Sequence, residues 1–187
     1  LVNDLSCEAL QSRAMRIRRL LAPVGLDDNI AGLKALADAS AKMLGFEGYC
    51  ARWSQPLLHV VFTGHPTFLL TQAQSDAVAE AASSGDTAPA TLCLIETERP
   101  PITLVGEHDE AIAAMRRAGS ARDAMVGVLL DVAAQHWPDR WQSFKPLPWR
   151  LATWVGYDMD GRTDIGWATS IGFRLLEKAE RLAGYVE

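Results

Sequence analysis

Apolar residues recur along this chain at two periods, and the changes of period divide it into elements. Between Cys7 and Gly25, the residues Leu10, Ala14, Ile17 and Leu21 share one helical face, and Pro23 with Gly25 ends the run. Arg13, Arg16, Arg18 and Arg19 fall off that stripe and read as a solvated basic face. A second helical pattern covers residues 26–45, with Asp27, Asp28 or Asn29 available as a cap. Leu33, Leu36, Ser40, Met43 and Leu44 form its inward side, and Gly45 is its stop. The period then shortens. Val60, Val61 and Phe62 predict a buried strand, which Gly64 and Pro66 prevent from continuing.

Residues 70–82 are helix-prone and residues 83–90 form a loop. The stretch 91–109 is rich in β-branched residues but broken by Pro100 and Pro101, which predicts an extended connector. Asp109 or Glu110 opens a short helix through Arg117. Ser120 then caps a stronger one carrying Met125, Val128, Leu129 and Val132 at i, i+3, i+4, i+7 spacing. Residues 135–150 are dense in proline and tryptophan and predict an irregular packed connection with its aromatics as core anchors. Residues 151–161 repeat the strand logic, a β-run entering a glycine- and aspartate-rich turn. Residues 163–184 close the pattern as a helix with Ile171, Leu175 and Leu182 on one side and Asp164 as a candidate cap. The sum is a mostly α chain with two short strands.

Composition narrows the function classes. At 187 residues the chain is long enough for one domain with a sizeable core. It opens without an initiator methionine and stops just after a predicted helix, so residues 1–187 read as a single domain or a fragment of a larger enzyme. A formal net charge of −5 argues against nucleic acid as the main partner. No run approaches the ~20 apolar residues of a membrane span. Cys7, Cys50 and Cys93 are isolated, odd in number and free of any CxxC pair, which predicts reduced thiols in a cytoplasmic protein. His59, His108 and His136 lack zinc-ligand spacing, and neither a G-x-S-x-G elbow nor a Walker loop occurs. The run "DMDGRTD" is no calcium loop, since its glycine comes too early and Thr169 stands at the twelfth position. A turn in which an aspartate side chain bonds the backbone is the better reading.

What remains is a pair of strand-ending turns. His65 sits where the first strand breaks, and Asp158 and Asp160 follow the second, about ninety residues later. If neighbouring parallel strands carry them, both turns leave from the same C-terminal edge, where α/β barrels keep their chemistry. The first motif, residues 60–68 with "VFTGHPT", resembles the "FTAHPTE" motif of phosphoenolpyruvate carboxylase. The second, residues 151–164 with "WVGYDMDGRTD", resembles that family's "WMGGDRDGNPN", and the helical "IGFRLLEKAERL" that follows also fits.

The resemblance implies two strands of a TIM-like α/β barrel and a carbon-dioxide-fixing lyase. Such an enzyme joins bicarbonate to phosphoenolpyruvate, giving phosphate and the oxaloacetate used by the tricarboxylic acid cycle. It further implies His65 as the base beside carboxyphosphate, Trp154 as a pocket wall, and Asp158, Asp160 and Arg162 in the second substrate loop. Mg2+ or Mn2+ is implied as cofactor with ligands outside this chain, and the rest of the polypeptide and a homo-oligomer as partners. Departures stand beside the matches. Phe68 replaces the family's glutamate, "LLTQAQS" lacks the arginine pair, Met159 replaces the arginine between the aspartates, and Arg162-Thr163 replaces Asn-Pro. A methionine cannot neutralise a phosphate or carboxylate as arginine does. The alternative is therefore a non-catalytic relative acting as a regulatory or protein-interaction module.

Overall fold

The computed structural model describes residues 2–21, 25–63, 70–86, 103–160 and 162–185. Pro23, the Pro100–Pro101 connector and Cys93 lie outside them. In chain order the elements are α1 (Val2–Leu21), α2 (Leu26–Trp53), β1 (Leu58–Phe62), α3 (Gln72–Ser84), α4 (Leu104–His136), a 3-10 turn (Trp141–Ser143), β2 (Trp149–Thr153) and α5 (Trp167–Ala183). Among the described residues the chain is mostly helical, with two short strands. It divides into two compact units, Leu1–Asp28 with His65–Pro101, and Asn29–Gly64 with Ile102–Glu187.

In the first unit α1 packs on α3, and Leu10, Ala14, Val78 and Ala81 are buried between them. Of the stripe anticipated for α1, Leu10 and Ala14 are buried and Ile17 is half-buried against α3. α3 starts on a reciprocal cap: Thr71 Oγ1 accepts from the Gln74 amide, and Gln74 Oε1 accepts from the Thr71 amide. Arg18 departs from the solvated basic face. Its guanidinium donates to the Ala82 and Ser83 carbonyls at 3.1 and 3.0 Å, satisfying oxygens that the end of α3 leaves free. Cys7 departs as well, being disulfide-bonded rather than a reduced thiol. Disulfide formation depends on Cα atoms meeting within about 7 Å in the fold, which isolated cysteines in a sequence do not reveal. Cys50, in the second unit, is free.

The second unit is built on α2 and α4. Gly45 does break α2, with φ 66, but helix resumes beyond it to Trp53. The inward side of α2 is Ala37, Ser40 and Ala41 with Leu33 half-buried beside them, whereas Leu36, Met43 and Leu44 stay exposed. Ala37 and Ala41 share one buried core with Leu129, Val132 and Ala133 of α4. Tyr49, Trp53 and Phe144 complete this core, and the Tyr49 hydroxyl donates to the Leu129 carbonyl at 2.9 Å. Burial pushes the Tyr49 phenol well above its ordinary pKa. The proline- and tryptophan-rich connection is irregular and packed, as expected, with Trp137 against Tyr49 and Phe46.

α4 is one helix of 33 residues, not two. Thr103 caps it by accepting from the Gly106 amide, and Ser120 caps nothing, its hydroxyl donating back to the Arg116 carbonyl. With no proline in this span, each added residue gains a hydrogen bond, which outweighs the ~1 kcal/mol that a glycine such as Gly119 costs.

β1 and β2 pair in parallel, Leu58 opposite Trp149 through Phe62 opposite Thr153. β1 is not the buried strand expected: Leu58 is 50% and Val61 45% exposed. Among the described residues the sheet has these two strands, so flanking strands do not cover them.

Two ion pairs join α2 to the end of α4 and to the turn that follows it. Asp38 accepts from Lys42 at 2.6 Å and from His136 at 2.7 Å, and Glu47 pairs with Arg140. The Lys42 bond, then that of His136, holds the Asp38 carboxyl below its ordinary pKa; Arg140 does the same for Glu47. A depressed folded pKa adds stability above the ordinary carboxyl range near 4, and that stability disappears as pH falls through the folded value. Thermal unfolding scans should therefore show a melting temperature that drops toward acid, and a shallower drop in the Asp38→Asn, Glu47→Gln double variant. Parallel pH profiles for the two proteins would contradict this.

Candidate functional site

The candidate site starts where the strands stop. Thr153 Oγ1 donates to the Phe62 carbonyl at 2.9 Å and accepts from the Val155 amide, so the two C-terminal strand ends are joined by a side chain as well as by the ladder. Neighbouring parallel strands are what the sequence reading anticipated. His65, Gly64, Pro66 and Phe68 of the first motif lie outside the described residues, as does Gly161 of the second.

The second motif is a compact turn in which backbone bonds do most of the shaping. The Trp154 carbonyl accepts from the Tyr157 and Asp158 amides at 2.9 and 3.3 Å. Gly156 takes φ 85, and its carbonyl accepts from the Ser170 hydroxyl at 2.7 Å. Asp158 Oδ1 accepts from the Asp160 amide at 3.1 Å, the side-chain-to-backbone turn expected from "DMDG". Trp154 is 52% exposed, and Asp158 and Asp160 are exposed too.

Arg162 is placed differently from a substrate-ready arginine. Its Nη1 donates to Glu107 Oε2 at 2.9 Å, while Nε and Nη2 donate to the two oxygens of Asp164 at 2.8 and 2.7 Å. These bonds raise the guanidinium pKa further and hold the Asp164 carboxyl below its ordinary range. Asp164 is consequently not the cap of α5, which begins after Gly166 with no side-chain cap. One cation thus faces two anions, and the turn offers no uncompensated positive charge at this position.

Sequence reasoning missed the cluster behind the turn. Buried His108 stacks on Phe173, with ring centres 3.9 Å apart and planes at 8°. Its Nε2 lies 3.3 Å from Glu177 Oε1, the oxygen that also accepts from the Tyr157 hydroxyl at 3.0 Å. Burial, and then that bond to Glu177, raise the Tyr157 pKa. Beside it runs a groove of about 390 Å³ lined by His108, Asp109, Ile112, Arg116, Glu177 and Glu180. Helical spacing hints at the Arg174–Glu177 pair, but His108 and Glu177 are 69 positions apart and no local pattern joins them. Ile171, Leu175 and Leu182 of α5 remain exposed, and Phe173 makes its buried contact with Leu104, Ala111, Val155 and Ile165.

Among the described residues no group of three or more histidine, cysteine, aspartate and glutamate side chains could hold a metal ion. No family model matches the chain, and no curated protein or solved structure matches it.

The turn's dependence on Gly156 is measurable. A Cβ there would lie 2.3 Å from Phe173 Cδ2 and would force a side-chain-bearing residue to a positive φ. Gly156→Ala should cost about 2–4 kcal/mol in urea unfolding, combining backbone strain with overpacking. Gly172→Ala, on α5 with nothing within 4 Å, should be neutral or stabilising by up to ~1 kcal/mol. Equal effects of the two would refute the close-packing account.

Proposed function

We propose that this chain is the N-terminal part of a phosphoenolpyruvate carboxylase-like protein, a lyase in which β1 and β2 are strands of a TIM-like α/β barrel. The observation that supports this reading is the parallel register that sets Phe62 beside Thr153. His65 follows β1 by three positions in the sequence and Asp158 follows β2 by five, and the two strands end at one sheet edge. In this reading His65 is the base that acts on the bicarbonate-derived intermediate, Trp154 walls the pocket, and Asp158 and Asp160 shape the loop around phosphoenolpyruvate. Arg162 contributes positive charge once freed from a carboxylate. The Mg2+ or Mn2+ that the resemblance implies would be held by ligands elsewhere in the polypeptide and would there neutralise charge on phosphate and enolate. Parallel strands in α/β proteins are covered on both faces, and the exposed Leu58 and Val61 suit burial by the rest of that polypeptide or by a second subunit.

A second reading, a non-catalytic relative that regulates or binds another protein, draws on the neutralised Arg162 and on Met159 where the family has arginine.

The full-length protein, supplied with Mg2+ or Mn2+, should convert phosphoenolpyruvate and bicarbonate to oxaloacetate, and His65→Asn should lower turnover ~100- to 10,000-fold. Background rates for both proteins would leave the second reading standing. Arg16→Glu with Arg19→Glu should then weaken capture of an acidic protein partner without changing the circular dichroism spectrum.

A further inference from the structure

We propose that the Arg162 guanidinium is the receptor for a small oxyanion, a carboxylate or a phosphoryl group, and that Asp164 occupies the ligand's place on it. The inference deepens the substrate-binding role proposed above and rests on Arg162 facing the ligand, but not on any catalytic step.

The two arms of the Arg162 network are unequal. The Glu107 side chain is 8% exposed, so its carboxylate has little water to fall back on and needs the guanidinium as partner. The Asp164 side chain is 50% exposed and lies two residues away in the same turn, so solvent can take over its charge when the pair opens. Glu107 therefore anchors the arginine, and Asp164 is the arm that yields.

The geometry of the yielding arm defines the ligand. Nε and Nη2 present a planar fork to the two Asp164 oxygens at 2.8 and 2.7 Å. Carboxylates and phosphoryl groups match that fork with two oxygens of their own, which a neutral or cationic ligand cannot do. The Arg162 side chain is 34% exposed, so an incoming anion can reach it. Charge sets the direction of the exchange: with Glu107 and Asp164 both in place the guanidinium attracts no further anion, and removing Asp164 restores a single favourable position. The motif thus carries its own competitor, and ligand affinity is set by how readily Asp164 leaves.

Titration of the protein with inorganic phosphate, and separately with pyruvate, at low ionic strength tests this by calorimetry and by the shift of the Arg162 Nε–H signal. Asp164→Ala should tighten binding of at least one probe about fivefold, the scale on which an exposed ion pair competes. Phosphate alone responding assigns a phosphoryl ligand, and pyruvate alone a carboxylate. Adding Arg162→Lys to that variant keeps a cation against Glu107 but removes the fork, and should abolish the gain. Should Asp164→Ala fail to fold by circular dichroism, Asp164→Asn preserves shape, removes the competing charge and should still tighten binding about twofold. Unchanged or weaker binding in the folded Asp164 variant overturns the proposal, as does full retention of the gain with Arg162→Lys. Tightened binding in a protein without carboxylase turnover leaves this inference intact and sinks the carboxylase reading; turnover lost in His65→Asn, with no gain from Asp164 variants, does the reverse.

Discussion

The second unit depends on one buried core shared by α2 and α4. Ala37 and Ala41 of α2 meet Leu129, Val132 and Ala133 of α4 in it, and Tyr49, Trp53 and Phe144 complete it. From that core the chain is led directly to the sheet. The Trp53 carbonyl accepts from the Leu147 amide and the Pro148 carbonyl from the Leu57 amide, so the approaches to β1 and β2 are joined before either strand begins. A parallel pair lacks a tight hairpin to set its register. Here the core supplies what a hairpin would, and Leu58 meets Trp149 as a result.

Beyond the strands, the turn at residues 154–164 is held by polar contacts to two helices. Glu107 of α4 holds Arg162 from one side, while Glu177 of α5 accepts from Tyr157 and faces His108 on the other. Both carboxylates are largely removed from water, which makes each bond stronger and each lost partner more damaging. Phe173 fills the space beneath Gly156, so the backbone of the turn is fixed by packing as well as by charge. The exposed groups, Trp154, Asp158, Asp160 and the open side of Arg162, therefore rest on a rigid base. Binding sites carried by loops on such a scaffold lose little entropy when a ligand arrives.

That arrangement also frames the two proposed readings. A substrate loop for a highly charged anion needs uncompensated positive charge, yet this turn carries one arginine shared by two carboxylates. The carboxylase reading requires that sharing to be broken by the ligand, whereas an interaction module requires only the exposed surface. The same ion-pair triad separates the two.

Local order was largely legible in the residues themselves. The stripe of Leu10 and Ala14, the β-runs at 60–62 and 151–153, the aspartate turn and the last helix all follow from period and turn chemistry, because these depend on neighbours within a few positions. The fusion of two expected helices into α4 was missed since Asp109 and Ser120 look like caps until a longer ladder absorbs them. Other features depended on contacts that no local pattern encodes. Ala37 and Ala41 are buried on α2 while Leu36 and Leu44 stay exposed, Arg162 meets Glu107 across 55 positions, His108 meets Glu177 across 69, and Cys7 is disulfide-bonded. A chain's own periodicity determines which elements form and how its turns close. Which face is buried and which charge is neutralised is settled only when distant segments exclude water from one another.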